Sequence, residues 1–347
     1  LYDAKLIYAD QKRALELDSK AGSRAGKLDY SLLLDGLTEE REQGITIDVA
    51  YRYFKTERRS FIVADCPGHE EYTRNMAVGA SFAQLAVILI DATKGVLVQT
   101  RRHARICALV GVRHFLFAVN KMDLVGYDES VFRKIEAQVD ELADELGLES
   151  AALVPISATE GDNVTHGSSN MPWYTGPAVL GHLEEVDVSP KEAERGFYLP
   201  VQRVCRPDYT FRGFEGEVAC GAIGVGDELT VLPSRERARV RRLLRGDADV
   251  QSVQAGDAVT GGLDREVDVT RGCVLEADSG ALTASALAVD VLWMDDEPLR
   301  PASDYLVKLG CNRIVPGQVT GIDYAVDVNT GEHKESNALA KNELARV

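Results

Sequence analysis

The stretch Asp65-Cys66-Pro67-Gly68-His69 directly follows the apolar run Ser60-Phe61-Ile62-Val63-Ala64. The run has the length of a buried strand, and Pro67 and Gly68 end it. A carboxylate at the carboxyl end of a parallel strand points into the crevice where α/β sheets bind ligands. A glycine beside it leaves room for a phosphate to approach a backbone N–H. By itself the pattern is also that of an ordinary turn, so its interpretation depends on other motifs.

Three more motifs accompany this stretch. Gly44-Ile45-Thr46-Ile47 precedes it, Asn120-Lys121-Met122-Asp123 follows the apolar run 115–119, and Ser157-Ala158 follows the apolar run 153–156. The distance from Asp65 to Asn120 leaves room for one helix, one strand and another helix. In this order and spacing, the motifs resemble four of the five guanine-nucleotide motifs of the translation-factor-like GTPases. The resemblance implies an α/β P-loop GTPase domain with a mostly parallel sheet and helices on both faces.

The Asn120–Asp123 motif suits the hydrogen-bonding edge of guanine. Asp123 can accept from both the N1–H and the exocyclic amine, which are adjacent donors. Asn120 can brace the loop and meet the acceptor edge of the base, and the stem of Lys121 can lie over the ring. Adenine would leave Asp123 unpaired and is therefore rejected; the alternative is a purely structural turn. The predicted GTP-binding residues are Asp65, Cys66, Pro67, Gly68, His69, Asn120, Lys121, Met122, Asp123, Ser157 and Ala158.

A second group of residues is predicted to act on the γ-phosphate. We expect the Thr46 hydroxyl to coordinate Mg²⁺ and the Thr46 N–H to donate to the γ-phosphate. We expect Asp65 to hold the Mg²⁺ through a water molecule. The Gly68 N–H also faces the γ-phosphate. His69 occupies the position at which GTPases of this kind orient the attacking water. Thr46, Gly68 and His69 are thus the predicted catalytic residues; the alternatives are a surface loop around Thr46 and a structural histidine.

Strands and helices alternate up to about residue 184, and the predicted GTP-binding domain is 1–190. Short Val- and Gly-rich segments then predict a β-barrel at 197–282 and a second, incomplete β-barrel at 284–347. The predicted elements of the first domain are strands at 49–56, 60–65 and 86–91 and helices at 1–18, 70–81, 98–110 and 129–146. A linker is expected at 185–195.

The phosphate loop G-x-x-x-x-G-K-[ST] of such GTPases does not occur in the sequence, although residues 1–18 resemble the helix that normally follows it. Since the other motifs are intact, we expect the loop to precede Leu1. If it is truly absent, the alternative is a scaffold that does not hydrolyse GTP.

The chain has 347 residues and a net charge of −16, and no apolar run approaches the ~20 residues that span a bilayer. We therefore expect no membrane association, and nucleic acid is a disfavoured partner of so acidic a chain. Six scattered cysteines without a C-x-x-C pattern indicate reduced thiols, no zinc site and a cytoplasmic location. One basic run favours a solvated strand face or a protein contact over a nucleic-acid groove: Arg235, Arg237, Arg239, Arg241, Arg242 and Arg245.

Several longer strings are more distinctive than the nucleotide motifs. They are Leu34-Asp35-Gly36-Leu37, residues 40–54, Met171-Pro172-Trp173-Tyr174 with Gly176-Pro177, Arg206-Pro207 with Phe211-Arg212-Gly213-Phe214, and Asp327-Val328-Asn329-Thr330. These strings are similar to those of the GTPase subunit of bacterial ATP sulfurylase. That resemblance implies GTP/GDP and Mg²⁺ as cofactors and a smaller catalytic subunit as partner, in a heterodimer or larger complex. The partner would form adenosine 5′-phosphosulfate and pyrophosphate from ATP and sulfate, while this chain would hydrolyse GTP. A translation elongation factor carrying aminoacyl-tRNA is the alternative.

Overall fold

A computed structural model describes residues 46–188, 196–206, 211–310 and 313–347. The predicted helix at 1–18, the first part of the Thr46 segment and most of the 185–195 linker lie outside these residues. The described chain contains 21 strands, four α-helices and two short 3₁₀ turns.

The nucleotide-binding part contains a parallel sheet of three strands. These are β3 (Leu85–Asp91), β4 (His114–Asn120) and β5 (Ser150–Pro155), in the order β3-β4-β5. An antiparallel hairpin of β1 (Ala50–Lys55) and β2 (Ser60–Asp65) precedes the sheet and pairs Ala50 with Asp65. Four of these strands, β1 to β4, were predicted, because each is a short apolar or alternating run that turn residues bound; at β5 only the apolar run 153–156 was noted. The prediction that 60–65 is a parallel strand was wrong, because β2 pairs only with β1 among the described residues.

Four helices accompany these strands: α1 (Thr73–Ala80), α2 (Val98–Leu109), α3 (Glu129–Leu146) and α4 (Val179–Glu185). The Asp128 side chain caps α3 by accepting from the Ser130 N–H at 2.7 Å, and Gly147 ends the helix in the left-handed region. The predicted helix 70–81 begins instead with a 3₁₀ turn, Glu70–Tyr72, ahead of α1. Helix α4 was not predicted, since it is short and carries no strong cap signal.

The parallel sheet is covered on both faces, which confirms the predicted layering. One face places Ile90, Phe115 and Phe117 against α1, α2 and α3. The opposite face places Leu116, Ala118 and Val154 against α4. Phe115, Leu116 and Phe117 are fully buried, and burying one such side chain contributes about 1.5–3 kcal/mol.

A second, all-β part begins at Phe197. Its largest sheet is antiparallel, has eight strands and runs β6-β15-β10-β11-β14-β8-β7, with β12 paired to β11. The sheet encloses a core that includes Phe197, Leu199, Val231, Val240 and Leu275, as expected for a barrel-like domain. The strands are β6 (Phe197–Pro200), β7 (Arg203–Cys205), β8 (Gly213–Glu217), β9 (Ala222–Gly224), β10 (Glu228–Leu232), β11 (Glu236–Arg245), β12 (Ala248–Val250), β13 (Ser252–Gln254), β14 (Ala258–Leu263) and β15 (Val274–Ala277).

The remaining described strands form three smaller antiparallel sheets, β9-β13, β16-β21-β19-β20 and β17-β18. By packing, these strands divide between two compact units. The first unit contains the nucleotide-binding part with Asp290–Leu299 and Ile322–Arg346, and the second contains Ser189–Val289, Arg300–Gly321 and Val347. The domain boundaries 1–190, 197–282 and 284–347 stay a prediction. The strands are β16 (Asp290–Leu292), β17 (Asp304–Lys308), β18 (Ile314–Gln318), β19 (Tyr324–Val326), β20 (His333–Lys334) and β21 (Leu344–Arg346).

Five of the six arginines of the basic run lie on β11, and Arg235 lies in the turn before it. Arg237 and Arg239 are exposed, whereas Ala238 and Val240 are buried. Glu228 on β10 contacts both of these arginines, at 3.3 and 3.6 Å. Among the described residues, no helix is both long and apolar enough to cross a bilayer.

Candidate nucleotide-binding site

The loop predicted to bind the base begins where β4 ends. Asn120 closes the strand, and its Oδ1 atom accepts from the N–H of Lys121 at 2.8 Å and from the N–H of Ala158 at 3.0 Å. Lys121 adopts the left-handed conformation with φ 66°, which turns the chain sharply away from the strand. One amide oxygen therefore fixes the Asn120–Asp123 loop and joins it to the Ser157–Ala158 segment.

Asp123 is held from the other segment as well. Its Oδ1 atom accepts from the Ser157 hydroxyl at 2.8 Å, and Ser157 is fully buried. The loop backbone is anchored to the end of β5, because the Met122 N–H donates to the Ile156 carbonyl at 3.2 Å. A half-buried carboxylate that is already oriented by a hydroxyl retains further acceptor sites for two donors of a base.

Lys121 is tied to the neighbouring strand by an ion pair. Its Nζ atom lies 2.8 Å from Oδ2 of Asp91, the last residue of β3. The hydrogen bonds from Lys121 and then Thr93 lower the pKa of Asp91 to about 2. The ion pair holds the exposed lysine stem at the edge of the sheet where the base loop lies.

Two predicted binding residues point their side chains into the protein. Met122 is fully buried beneath the loop. The Cys66 thiol packs on α1 at Gly79, where a Cβ atom would lie only 2.5 Å from Sγ. Burial first, and the Asp65 charge second, raise the pKa of Cys66 to about 11, so the thiol stays protonated. Any contact of these two residues with a nucleotide is therefore left to their backbones.

Two of the three predicted hydrolysis residues, Gly68 and His69, lie beyond the end of β2 and are open to solvent, whereas Thr46 precedes β1 and is partly buried. Pro67 is buried, whereas Gly68 and His69 are exposed, and 54% of the His69 side chain is accessible. The Gly68 carbonyl accepts from the Gln99 side chain. His69 Nδ1 accepts from the Glu71 N–H at 3.3 Å and so caps the 3₁₀ turn. This capping role was missed, although a polar residue followed by two glutamates is a helix-start signal.

The predicted magnesium ligands belong to the open end of the β1–β2 hairpin, Thr46 in the segment that leads into β1 and Asp65 as the last residue of β2. Asp65 pairs with Ala50, four residues after Thr46, and the Asn75 side chain holds the Ile47 carbonyl at 2.9 Å. A hydroxyl and a carboxylate are hard oxygen donors of the kind that Mg²⁺ takes when phosphate and water supply the rest. Among the residues that the structure describes, no group of three His, Cys, Asp or Glu side chains could hold a metal.

A network that was not predicted from the sequence starts beside His69. Glu70 pairs with Arg102 of α2 at 2.8 Å, and Arg102 donates to Asn329 Oδ1 at 2.9 Å. The hydrogen bond from Arg102 is the main cause that lowers the pKa of Glu70. The buried Arg105 donates to Glu145 and to the carbonyls of residues 328 and 329. Within the first compact unit, α2 thus connects the turn after His69 to the 327–330 string.

These elements are those of a guanine-nucleotide-binding protein, and comparison with known families agrees. Residues 2–216 match the elongation factor Tu GTP binding domain, and residues 286–347 match the GTP-eEF1A C-terminal domain-like family. The first match spans more than half of the chain. The chain therefore carries a GTP-binding domain of the elongation factor Tu type.

Comparison with individual proteins defines the family of the chain more narrowly. The chain is 47% identical to sulfate adenylyltransferase subunit 1 of Laribacter hongkongensis, over 100% of this chain and 73% of the relative. It is 50% identical to the bifunctional enzyme CysN/CysC of Xylella fastidiosa, over 99% of this chain and 55% of that relative. The chain belongs to the family of sulfate adenylyltransferase subunit 1. It spans about half of the bifunctional relative and three quarters of the single subunit.

Among solved structures, Sup35 complexed with GDP is 22% identical, with a TM-score of 0.42, over 85% of this chain and 74% of that one. At this level of similarity the match adds nothing to the assignment.

Proposed function

We propose that this chain is the GTP-hydrolysing subunit of a sulfate adenylyltransferase. GTP and water give GDP and phosphate on this chain. On a smaller partner subunit, ATP and sulfate give adenosine 5′-phosphosulfate and pyrophosphate. The observation that carries the proposal is the similarity to sulfate adenylyltransferase subunit 1 along the whole chain.

The base loop supports guanine as the recognised base. Contacts within the protein orient Asp123 through Ser157, and Asn120 through two backbone N–H groups. Groups that the protein itself holds in place reduce the ordering cost that binding must offset. Adenine would place an acceptor and not a donor against Asp123, so the loop favours GTP over ATP.

The γ-phosphate is assigned to the opposite end of the site. In our proposal the Gly68 N–H and the Thr46 N–H bind the γ-phosphate, and His69 orients the attacking water. Thr46 and Asp65 would hold Mg²⁺, which supplies positive charge to the phosphate oxygens. The segments 39–47 and 67–72 would be ordered by the γ-phosphate and released when it leaves.

To couple GTP hydrolysis to sulfate activation, the partner must contact these segments differently in the GTP and GDP states. The equilibrium of sulfate activation can shift only by the difference in free energy between those two interactions. We propose that the two subunits work together in the cytoplasm, where reduced cysteines such as those of this chain are the norm.

The test is GTP hydrolysis by the full-length gene product with its partner subunit, with and without ATP plus sulfate. We expect slow hydrolysis by the chain alone, and stimulation that needs ATP and sulfate together. Adenosine 5′-phosphosulfate should then exceed its uncoupled equilibrium amount. Stimulation by ribosomes, with no response to ATP and sulfate, would assign the chain to translation instead.

A further inference from the structure

The two segments of the base site are joined by a second, outer layer of contacts. Tyr127 follows the base loop, and its hydroxyl donates to Asp162 Oδ2 at 2.9 Å. Asp162 follows the Ser157–Ala158 segment, and its carbonyl accepts from the Ser157 N–H at 3.2 Å. The hydroxyl of that same Ser157 orients Asp123. A continuous path of hydrogen bonds therefore leads from Tyr127 through Asp162 and Ser157 to the carboxylate that is assigned to guanine.

The Asp162 carboxylate is held from several directions. The Ser168 hydroxyl donates to Oδ1 at 2.5 Å, and the Asn170 amide donates to Oδ1 at 3.2 Å. Together with the Tyr127 hydroxyl, these donors fix the carboxylate in one orientation. Their hydrogen bonds lower the pKa of Asp162 against the opposing effect of burial, so the group accepts as a carboxylate at neutral pH.

Tyr127 is equally constrained. Its backbone has φ 58°, a left-handed conformation that is an outlier for a bulky side chain and persists only where the surroundings enforce it. The Tyr127 N–H donates to the Met122 carbonyl at 2.8 Å, and the Tyr127 carbonyl accepts from Trp173 Nε1 at 3.1 Å. The hydrogen bond to Asp162 is the largest cause that raises the pKa of Tyr127 to about 12, so its hydroxyl remains a donor.

We propose that Tyr127 and Asp162 are positioning residues for guanine specificity, because they fix the Ser157–Ala158 segment and, through Ser157, the Asp123 carboxylate. This inference rests on the proposed binding of GTP. Trp173, one residue of the Met171–Tyr174 string, supports the outer layer through its ring N–H. Neither Tyr127 nor Asp162 touches the base in this account; both act through Ser157.

The test is the preference of the full-length protein for GDP over IDP, measured with fluorescent nucleotide competition. IDP lacks the exocyclic amine and so loses one of the two donors to Asp123. We expect Tyr127→Phe to weaken GDP binding about fivefold to tenfold and to lower the GDP-to-IDP preference about threefold or more. Asp162→Asn should lower both further, because an amide also presents donors to Ser168 and Asn170.

Matched controls separate this role from general stability. Tyr174→Phe removes a nearby tyrosine hydroxyl that donates to the Pro177 carbonyl at 3.1 Å and does not touch Asp162. Asp128→Asn changes a carboxylate that caps α3. Both controls should lower the melting temperature at most, and leave the GDP-to-IDP preference unchanged.

A double variant provides an independent check. If Tyr127 and Asp162 act through their shared bond, Tyr127→Phe with Asp162→Asn should cost less than the two single changes added together. An unchanged GDP-to-IDP preference in the Tyr127→Phe protein would overturn the inference, whether both affinities fall equally or neither falls. Should Asp162→Asn fail to fold, the conservative Tyr127→Phe decides. A wild-type protein with no preference for GDP over IDP would instead contradict the proposed function itself.

Discussion

The proposed base side and the proposed hydrolysis side of the site are built differently. On the base side, Asn120 and Asp123 already have hydrogen-bond partners, and Ser157 and Met122 are fully buried. On the hydrolysis side, Gly68 is exposed and more than half of the His69 side chain is accessible. The first set is held by contacts between two separate segments, the second mainly by one short turn.

The difference follows from what each side must recognise. The base is the same in GTP and GDP, so a rigid site serves both states and reduces the ordering cost of binding. The γ-phosphate is present only in the GTP state, so the contacts that depend on it must be able to form and break. The account therefore predicts that changes on the hydrolysis side alter rate, whereas changes on the base side alter affinity, specificity and stability.

The largest expected effect belongs to His69→Ala. Loss of a group that positions water or handles a proton costs ~10²–10⁴-fold in rate, while GTP affinity and melting temperature should change little. Single-turnover GTP hydrolysis is the measurement. His69→Asn keeps an acceptor for the Glu71 N–H, so it separates the cap from the chemistry. If the asparagine variant alone is fully active, the role of His69 is to cap the turn. If both variants are fully active, His69 has no role in hydrolysis.

Asn120→Ala should affect the base side of the site. It leaves the N–H groups of Lys121 and Ala158 without their acceptor, at ~1–3 kcal/mol for each unsatisfied group. We expect GDP affinity to fall on the order of 10–10²-fold and the melting temperature to fall with it. Nucleotide titration and thermal unfolding measure the two effects. A variant that loses hydrolysis but keeps affinity and stability would contradict the distinction between the two sides.

The smallest expected effect is in the acid stability of Asp91→Asn. The pKa of Asp91 is about 2 in the folded protein, against 3.8 for an unperturbed aspartate. The ionised group therefore stabilises the fold above about pH 4. This contribution is lost as the pH falls from about 4 to about 2. The variant should therefore lose less stability than the wild type over that window, by a modest amount because Lys121 is half exposed.

Denaturant unfolding at pH 5 and pH 3 measures the difference. Asp140→Asn on the exposed side of α3 controls for the loss of a surface charge. Parallel pH dependence in the wild type and the Asp91→Asn protein would show that the Lys121 ion pair has no part in holding the base loop.

Local sequence signals predicted the elements that present the site. Helix α3 has its cap at Asp128 and its stop at Gly147, so its bounds agree with the prediction, and its buried residues are Phe132, Ile135, Val139 and Leu142. Asn120 and Asp65 were found because each is a polar residue at the end of an apolar run. These signals depend only on neighbours in the chain.

What the sequence did not predict depends on residues far apart. The Tyr127–Asp162 bond spans 35 positions and the Arg102–Asn329 bond spans 227, and no local pattern specifies either. The strands β12 and β13 were also missed, since each has only three residues, and they pair with two different strands, β12 with β11 and β13 with β9.

The most direct test of the account uses Asp123→Asn in the complex of the full-length gene product with its partner subunit. An amide in place of the carboxylate presents a donor that suits xanthine, which has a carbonyl where guanine has an amine, and the preference should shift on the order of 10²-fold or more. Adenosine 5′-phosphosulfate formation is measured with GTP and with XTP. The account predicts that XTP, and no longer GTP, raises the product above its uncoupled equilibrium in the variant. Continued support by GTP, with no response to XTP, would contradict it.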